Sequence, residues 1–351
     1  LFGNKIFAYN RIQFHESIKT LPCIQAYSLY HKVIFFAILP FLASCTELLK
    51  APPHSSKSAV IEVTSLQVAS IRIFKQKMER LQRVYYKLSI ANIELCEKYV
   101  HGSIGAEFGT ILHYQKKDRK AQALVYGITD AFSVRSIIHG GVADQAGLLV
   151  GDQIISFNGE RVVGENWINK TLLPSIRSGK LLSLNVRRSN GQISIKIQPI
   201  SACSYPVELI YDNDITAITD GHKISITTGA MRFFISDDEL AFAISHEMSH
   251  NLLGLIGSNQ SYEYTSDYMA GYLLARAGYD VRHSANFFRR LAAEDPDSIP
   301  LDRQGPHPSS ALRIVLLEDL HIEIKNKKQL NIPLVPNITQ YKLNWSTLSQ
   351  N

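Results

Sequence analysis

The chain has 351 residues, 45% of them hydrophobic and 19% charged, which gives room for two or three packed domains and excludes disorder as a description of the whole. The formal charge is +6, but Lys5, Arg11, Lys19 and Lys32 against Glu16 place half of that excess in the first 44 residues. The remainder is balanced, so no nucleic-acid partner is expected, and no run of 18 apolar residues exists to span a membrane. Four cysteines (Cys23, Cys45, Cys96, Cys203) contain no Cys-x-x-Cys pair, which excludes a cysteine zinc site or a thioredoxin-like motif.

Lys32 precedes a mostly apolar stretch, Val33 to Ala43, of signal-peptide length. It ends in Leu42-Ala43-Ser44-Cys45, which resembles the bacterial lipobox. The resemblance implies a presequence over 1–44, lipidation of Cys45 and a place in the bacterial cell envelope, on the outer membrane facing the periplasm. The membrane would be met through this anchor alone. The chain opens on Leu1, and residues 1–31 fit no signal architecture, so this stretch is left out of the fold reading.

Residues 45–104 read as a tether followed by a long helix. Ala51-Pro52-Pro53-His54-Ser55-Ser56 is the tether, and Ile71, Phe74, Met78, Leu81, Tyr85 and Leu88 then recur at steps of three and four. Such a helix packs along the chain's own domains or pairs as a dimeric coiled coil.

Residues 105–200 are rich in strands and turns. Gly140-Gly141 turns the chain, Ala143 to Ala146 make a short helix ended by Gly147, Gly151-Asp152 opens a strand, and Asn158-Gly159 supplies a tight hairpin turn. The run Val134 to Leu148 followed by Gly151 to Gly159 resembles a bacterial PDZ domain. That resemblance implies capture of a C-terminal peptide and puts the carboxylate-binding loop at Tyr126, Gly127 and Ile128.

Residues 205–335 hold the chemistry, and 336–351 form a tail. His246-Glu247-Met248-Ser249-His250 is an H-E-x-x-H pentad. Ser236-Asp237-Asp238-Glu239 reads as a capping box before an apolar run, and Gly254 as a stop. His246 and His250 therefore share one helix face and can ligate one Zn²⁺, with Glu247 beside them to act on water. Counting tests the third ligand. A metzincin needs His where Ile256 stands, and thermolysin-like or aminopeptidase-like spacings need Glu where Met269 and Ala270 stand. A second helix starting near Ser261 would bring Glu263 back to the level of His250, with Asp267 on the same face.

The pentad, Glu263-x-x-x-Asp267, the Ala275-Arg-Ala-Gly-Tyr-Asp280 tail and His307 to Ile314 resemble gluzincin endopeptidases of the HtpX and CAAX-prenyl-protease type. The resemblance implies an α+β chain: a mainly helical zincin domain with a small edge-strand sheet, beside the β-rich PDZ domain. It implies one Zn²⁺ on His246, His250 and Glu263, Glu247 as general base, Asp267 behind a ligand histidine, and His307 and Arg313 as further catalytic candidates. His307 would donate to the oxyanion or plug the open metal position at rest. Residues 213–229 resemble the family's hairpin and edge strand, with substrate adding near Lys223 to Thr228, although Ala217-Ile-Thr-Asp-Gly221 departs from its Ala-Leu-Pro-Gly-Gly wording.

The expected function is a zinc endopeptidase of protein or peptide segments, with the PDZ domain recruiting or regulating. The alternatives are a binding protein with a structural zinc site and an amidase of cell-wall peptides. In an oxidising compartment Cys96 and Cys203 are candidates for one disulfide, two free thiols being the alternative.

Overall fold

The computed structural model describes residues 56–96, 99–163, 167–189, 191–257, 259–302 and 307–339. Cys45, the apolar stretch before it and most of the C-terminal tail lie outside them. Helix α1, Ser56–Ala91, begins in an N-terminal unit that closes at Leu66; from Gln67 onward the chain forms one unit. The three-and-four spacing explains how the second part of α1 is used. Leu81, Val84 and Leu88 are fully buried, while Phe74, Met78 and Tyr85 pack against the same core. At its end Asn92 donates its amide to Leu88 O and Leu273 O, both at 2.9 Å. The polar residue that breaks the periodicity is thus the tie between α1 and a later helix. No helix among the described residues is long and apolar enough to cross a membrane.

Strand β1 (Val100–Ser103) pairs antiparallel with β8 (Ile200–Cys203), Val100 facing Cys203 and Ser103 facing Ile200. Cys96 and Cys203 are joined in a disulfide with Cα atoms 5.7 Å apart. Between β1 and β8 lies a β-rich domain. It contains β2 (Ala106–Gly109), α2 (Arg119–Tyr126), β3 (Ser133–Ile137), α3 (Val142–Gln145), β4 (Gln153–Phe157) and β5 (Glu160–Arg161). A π-helical turn at Ile168–Leu172 then runs into α4 (Leu173–Arg177), followed by β6 (Leu182–Arg188) and β7 (Gly191–Ile197). The sheet order is β2-β3-β4-β6-β7, with β5 on β4. Phe108, Val134, Leu148, Phe157, Leu172 and Leu184 are among its core. The Asn158-Gly159 turn has both residues at positive φ, 49° and 86°, the backbone that a two-residue hairpin needs and that Asn and Gly tolerate.

The final region opens with a three-stranded sheet of β9 (Val207–Ile210), β10 (Ala217–Thr219) and β11 (Ile224–Thr227), then α5 (Thr228–Phe233). Four helices follow: α6 (Asp237–Leu253), α7 (Gln260–Arg276), α8 (Arg282–Glu294) and α9 (Ser310–Gln329). In the order β10-β11-β9, β11 is the middle strand, antiparallel to β10 and parallel to β9. This corrects the expectation that substrate adds near Lys223 to Thr228: both edges of β11 are already paired, and among the described residues the outer strands are β9 and β10, of which β10 lies against α6.

Candidate metal centre

Ser236 caps α6, its hydroxyl accepting from Glu239 N at 3.2 Å. The other half of the expected box differs. Glu239 accepts from Ile235 N at 3.0 Å and is held by Arg290, so the carboxylate serves an interhelical ion pair as well as the helix start. Gly254, at φ 64°, ends α6 in the left-handed conformation, and Asn259 caps α7 by accepting from Ser261 N. Between these signals α6 is buried along most of its length, which suits a helix carrying buried polar side chains inward.

His246 of α6 meets Asp267 of α7, and His250, one turn later, meets Glu263, one turn earlier. The helices are therefore an antiparallel hairpin, as the loop length required. His246 Nδ1 lies 2.8 Å from Asp267 Oδ1, and His250 Nδ1 2.7 Å from Leu255 O. Both partners are pure acceptors, so each neutral ring carries its proton on Nδ1 and turns a lone pair on Nε2 inward. The two Nε2 atoms are 3.1 Å apart; Glu263 Oε2 is 3.3 Å from one and Oε1 3.5 Å from the other. Three donors about 2.0 to 2.1 Å from one tetrahedral ion stand about 3.3 to 3.4 Å from each other. Glu263 is buried, and its Oε2 faces His246 Nε2 at 3.3 Å and His307 Nδ1 at 3.2 Å. Lone pairs converging without a proton between them fit a cation.

Charge points the same way. Glu247, Glu263 and Asp267 are buried with one guanidinium, Arg313, so with neutral imidazoles the cluster lacks two positive charges. Burial opposes an imidazolium at His246, but hydrogen bonds and charge from Asp267 and Glu263 outweigh it and push His246 up to about 10. Burial also works against ionised Glu263, yet the bonds from His246, His250 and His307 hold its carboxyl well below the usual range. Glu247, which has no such partner, is raised by burial, with the histidines only partly offsetting it. The cluster stabilises positive charge at the histidines and leaves Glu247 as the carboxylate most ready to take a proton.

Arg313 takes a different position from the one expected. It is 7% exposed, with Nε 2.7 Å from Asp267 Oδ2 and Nη2 2.6 Å from Oδ1, and its guanidinium lies over the Phe288 ring. It supports the ligands from behind, with Nη1 also 3.6 Å from Glu263 Oε2. His307 does reach the cluster: its side chain is 58% exposed and Nδ1 is 3.2 Å from Glu263 Oε2.

Tyr126, Gly127 and Ile128 do not form an open carboxylate loop, contrary to expectation. Tyr126 ends α2, Gly127 caps that helix with its N–H spent on Ala123 O, and Ile128 is buried with Tyr114 and Tyr126. A glycine ending a helix and one opening a binding loop look alike in sequence. The Leu255 carbonyl behind His250 was also out of reach of sequence reasoning, because any residue offers a carbonyl. Asn251, discussed below, was missed for want of a motif.

The family model of the PDZ domain matches residues 133–167, from β3 to the start of the π-helical turn. The solved HtrA3 PDZ domain bound to a phage-derived ligand (FGRWV) is similar over 29% of this chain and 88% of that one, at 19% identity and a TM-score of 0.23. No curated protein matches the sequence. The chain thus carries a PDZ domain within a mixed helix-and-sheet architecture.

Proposed function

We propose that the chain is a zinc-dependent endopeptidase whose PDZ domain recruits or positions protein substrates. The observation that carries this reading is the convergence of His246 Nε2, His250 Nε2 and the Glu263 carboxylate, with Glu247 next to His246 on the same helix. A structural zinc site closes its coordination with four protein ligands, whereas three ligands beside a buried carboxylate leave a position for water or substrate.

Zinc bound there would act as a Lewis acid on a peptide carbonyl and make water a nucleophile near neutral pH. Glu247 accepts a proton from the attacking water as its oxygen bonds to the carbonyl carbon, then returns it to the leaving amine as the C–N bond breaks. Asp267, gripped by Arg313, keeps His246 in the tautomer that presents Nε2. An extended substrate would pair with the free edge of β10. Thr227 N donates to Thr216 O and Asp220 N to Lys223 O, so the alternation of the ladder turns Thr216, Ile218 and Asp220 toward β11. Ala217 and Thr219 turn their backbone groups outward. Because a strand must be added, mobile or unfolded segments are the expected substrates.

The PDZ domain supports a peptide or protein partner, and Cys45 supports an envelope location through a lipid anchor, for which fractionation of a Cys45→Ala variant is the test. The peptidase reading is tested by incubating purified protein with unfolded casein. Cleavage should stop with chelator and return with zinc. Zinc bound stoichiometrically without cleavage would leave a binding protein, and cleavage of cell-wall peptides alone would leave an amidase.

A further inference from the structure

We infer that Asn251 and Thr219 form a positioning pair that fixes the outer strand β10 over the metal helix; the inference rests on the peptidase reading and deepens it. Asn251 follows His250 directly and lies one turn beyond Glu247, on the same face of α6. Its side chain is buried, and its Oδ1 is 2.6 Å from Thr219 Oγ1. Thr219 is one of the two β10 residues whose backbone faces outward, so a single side-chain contact joins the strand that would hold substrate to the helix that would cut it.

The contact is constrained from both ends. The Thr219 hydroxyl also lies 2.9 Å from Lys223 O across the hairpin, and Gly221 N donates to it at 3.3 Å. One hydroxyl proton cannot serve Asn251 Oδ1 and Lys223 O together. The contact is kept either with the Thr219 hydroxyl donating to Oδ1 or with the amide turned so that Nδ2 donates to Oγ1. Asn251 Nδ2 is buried without a partner among the described residues in the first arrangement, a cost that a merely space-filling residue would not carry. Ile218, the residue between the outward pair, turns to the opposite face and is 53% exposed, while on the α6 side Ala217 packs against the core. The hydrogen bond adds a directional tie to that small apolar contact.

The consequence is kinetic. Ala217 and Thr219 would still bond an extended peptide without the pair, but its scissile carbonyl would no longer be held in register with Glu247 and the ligands. A displacement of about 1 Å is enough to cost about a hundredfold in rate.

The test uses the purified full chain loaded with zinc, an extended fluorogenic peptide, and the variants Thr219→Val, Thr219→Ser, Asn251→Leu and Thr219→Val/Asn251→Leu. Thr219→Val and Asn251→Leu should each lose roughly tenfold to a hundredfold in kcat with KM within about threefold. The double variant should lose no more than either alone, and Thr219→Ser should match the wild type. Zinc content and melting temperature should be unchanged, and amide hydrogen exchange over residues 217–219 should accelerate in Thr219→Val. Wild-type kcat in Thr219→Val, a change confined to KM, losses that multiply in the double variant, or loss of zinc would each overturn the pair. An inactive wild type overturns the peptidase reading, and the inference with it.

Discussion

Arg313 grips both oxygens of Asp267, at 2.7 and 2.6 Å, and Asp267 in turn fixes His246 through Nδ1 at 2.8 Å. Three helices, α9, α7 and α6, are thereby joined in one buried relay ending at an inward-facing nitrogen. Replacing Arg313 with Leu leaves Asp267 as a buried charge that has lost its guanidinium partner and keeps only the bond to His246 among the described residues. Such a loss costs about 3 to 5 kcal/mol of stability, and removing a group that orients a ligand weakens metal affinity by about 10- to 100-fold. Thermal melting and competition with a zinc indicator should show both together; unchanged zinc affinity would deny the relay.

Glu247 should behave differently. Glu247→Gln removes the base without touching a ligand, so zinc content should stay at the wild-type level while the cleavage rate falls at least about a hundredfold. Zinc loss in this variant would make Glu247 a ligand, contrary to the assigned role.

The two chemical layers of the site were not equally legible in the sequence. His246, Glu247 and His250 are set by a short local pattern whose helix is announced by Ser236 and Gly254, and Glu263 followed by counting turns. What lies one step outward depends on tertiary placement. Arg313 enters as a catalytic candidate only through the resemblance of His307 to Ile314, and the sequence does not show that α9 turns it inward beneath Asp267. The edge strand near Lys223 to Thr228 is an expectation of the family resemblance, and nothing in residues 213–229 announces that β9 pairs with the second strand of the hairpin. Leu81 and Leu88 followed from periodicity, since the helical repeat and burial measure the same face, whereas Val84, outside that series, is buried as well.

Acid stability should carry the mark of one ion pair at the start of α6. Arg80 Nε lies 2.8 Å from Asp237 Oδ1, and its other nitrogens reach Phe234 O and Ser236 O. Burial works against the ionised Asp237, but hydrogen bonds from Arg80 and Arg83 outweigh it and hold the carboxyl below its usual value. A depressed folded value stabilises above the unfolded one and is lost as pH falls through the folded one. Arg80→Met should therefore cost on the order of 1 kcal/mol near neutrality, discounted for solvent screening. Urea titrations from pH 7 down should show this gap narrowing below about pH 4; a constant gap would assign the whole effect to the carbonyl contacts.

The Cys96–Cys203 bridge closes a stretch of 107 residues. Cross-linking a loop of that length stabilises by about 4 to 5 kcal/mol in the chain-entropy treatment. Cys96→Ser/Cys203→Ser should melt well below the wild type, and denatured protein without reductant should offer no thiol at either position. Stoichiometric labelling of both would deny the bridge.

The pairing of β1 with β8 makes the PDZ domain a loop in the topological sense. The chain leaves at Ser103 and comes back at Ile200, directly opposite in the ladder, and the disulfide lies at the foot of the same ribbon. Opposed residues in an antiparallel pair are only about 4.5 to 5.5 Å apart at Cα. An Asn-Gly turn can therefore graft Ser103 onto Ile200 and leave a hairpin neck with its head removed. Such a protein keeps every metal-site residue and both cysteines, so it separates what the PDZ domain contributes from what the peptidase region does unaided.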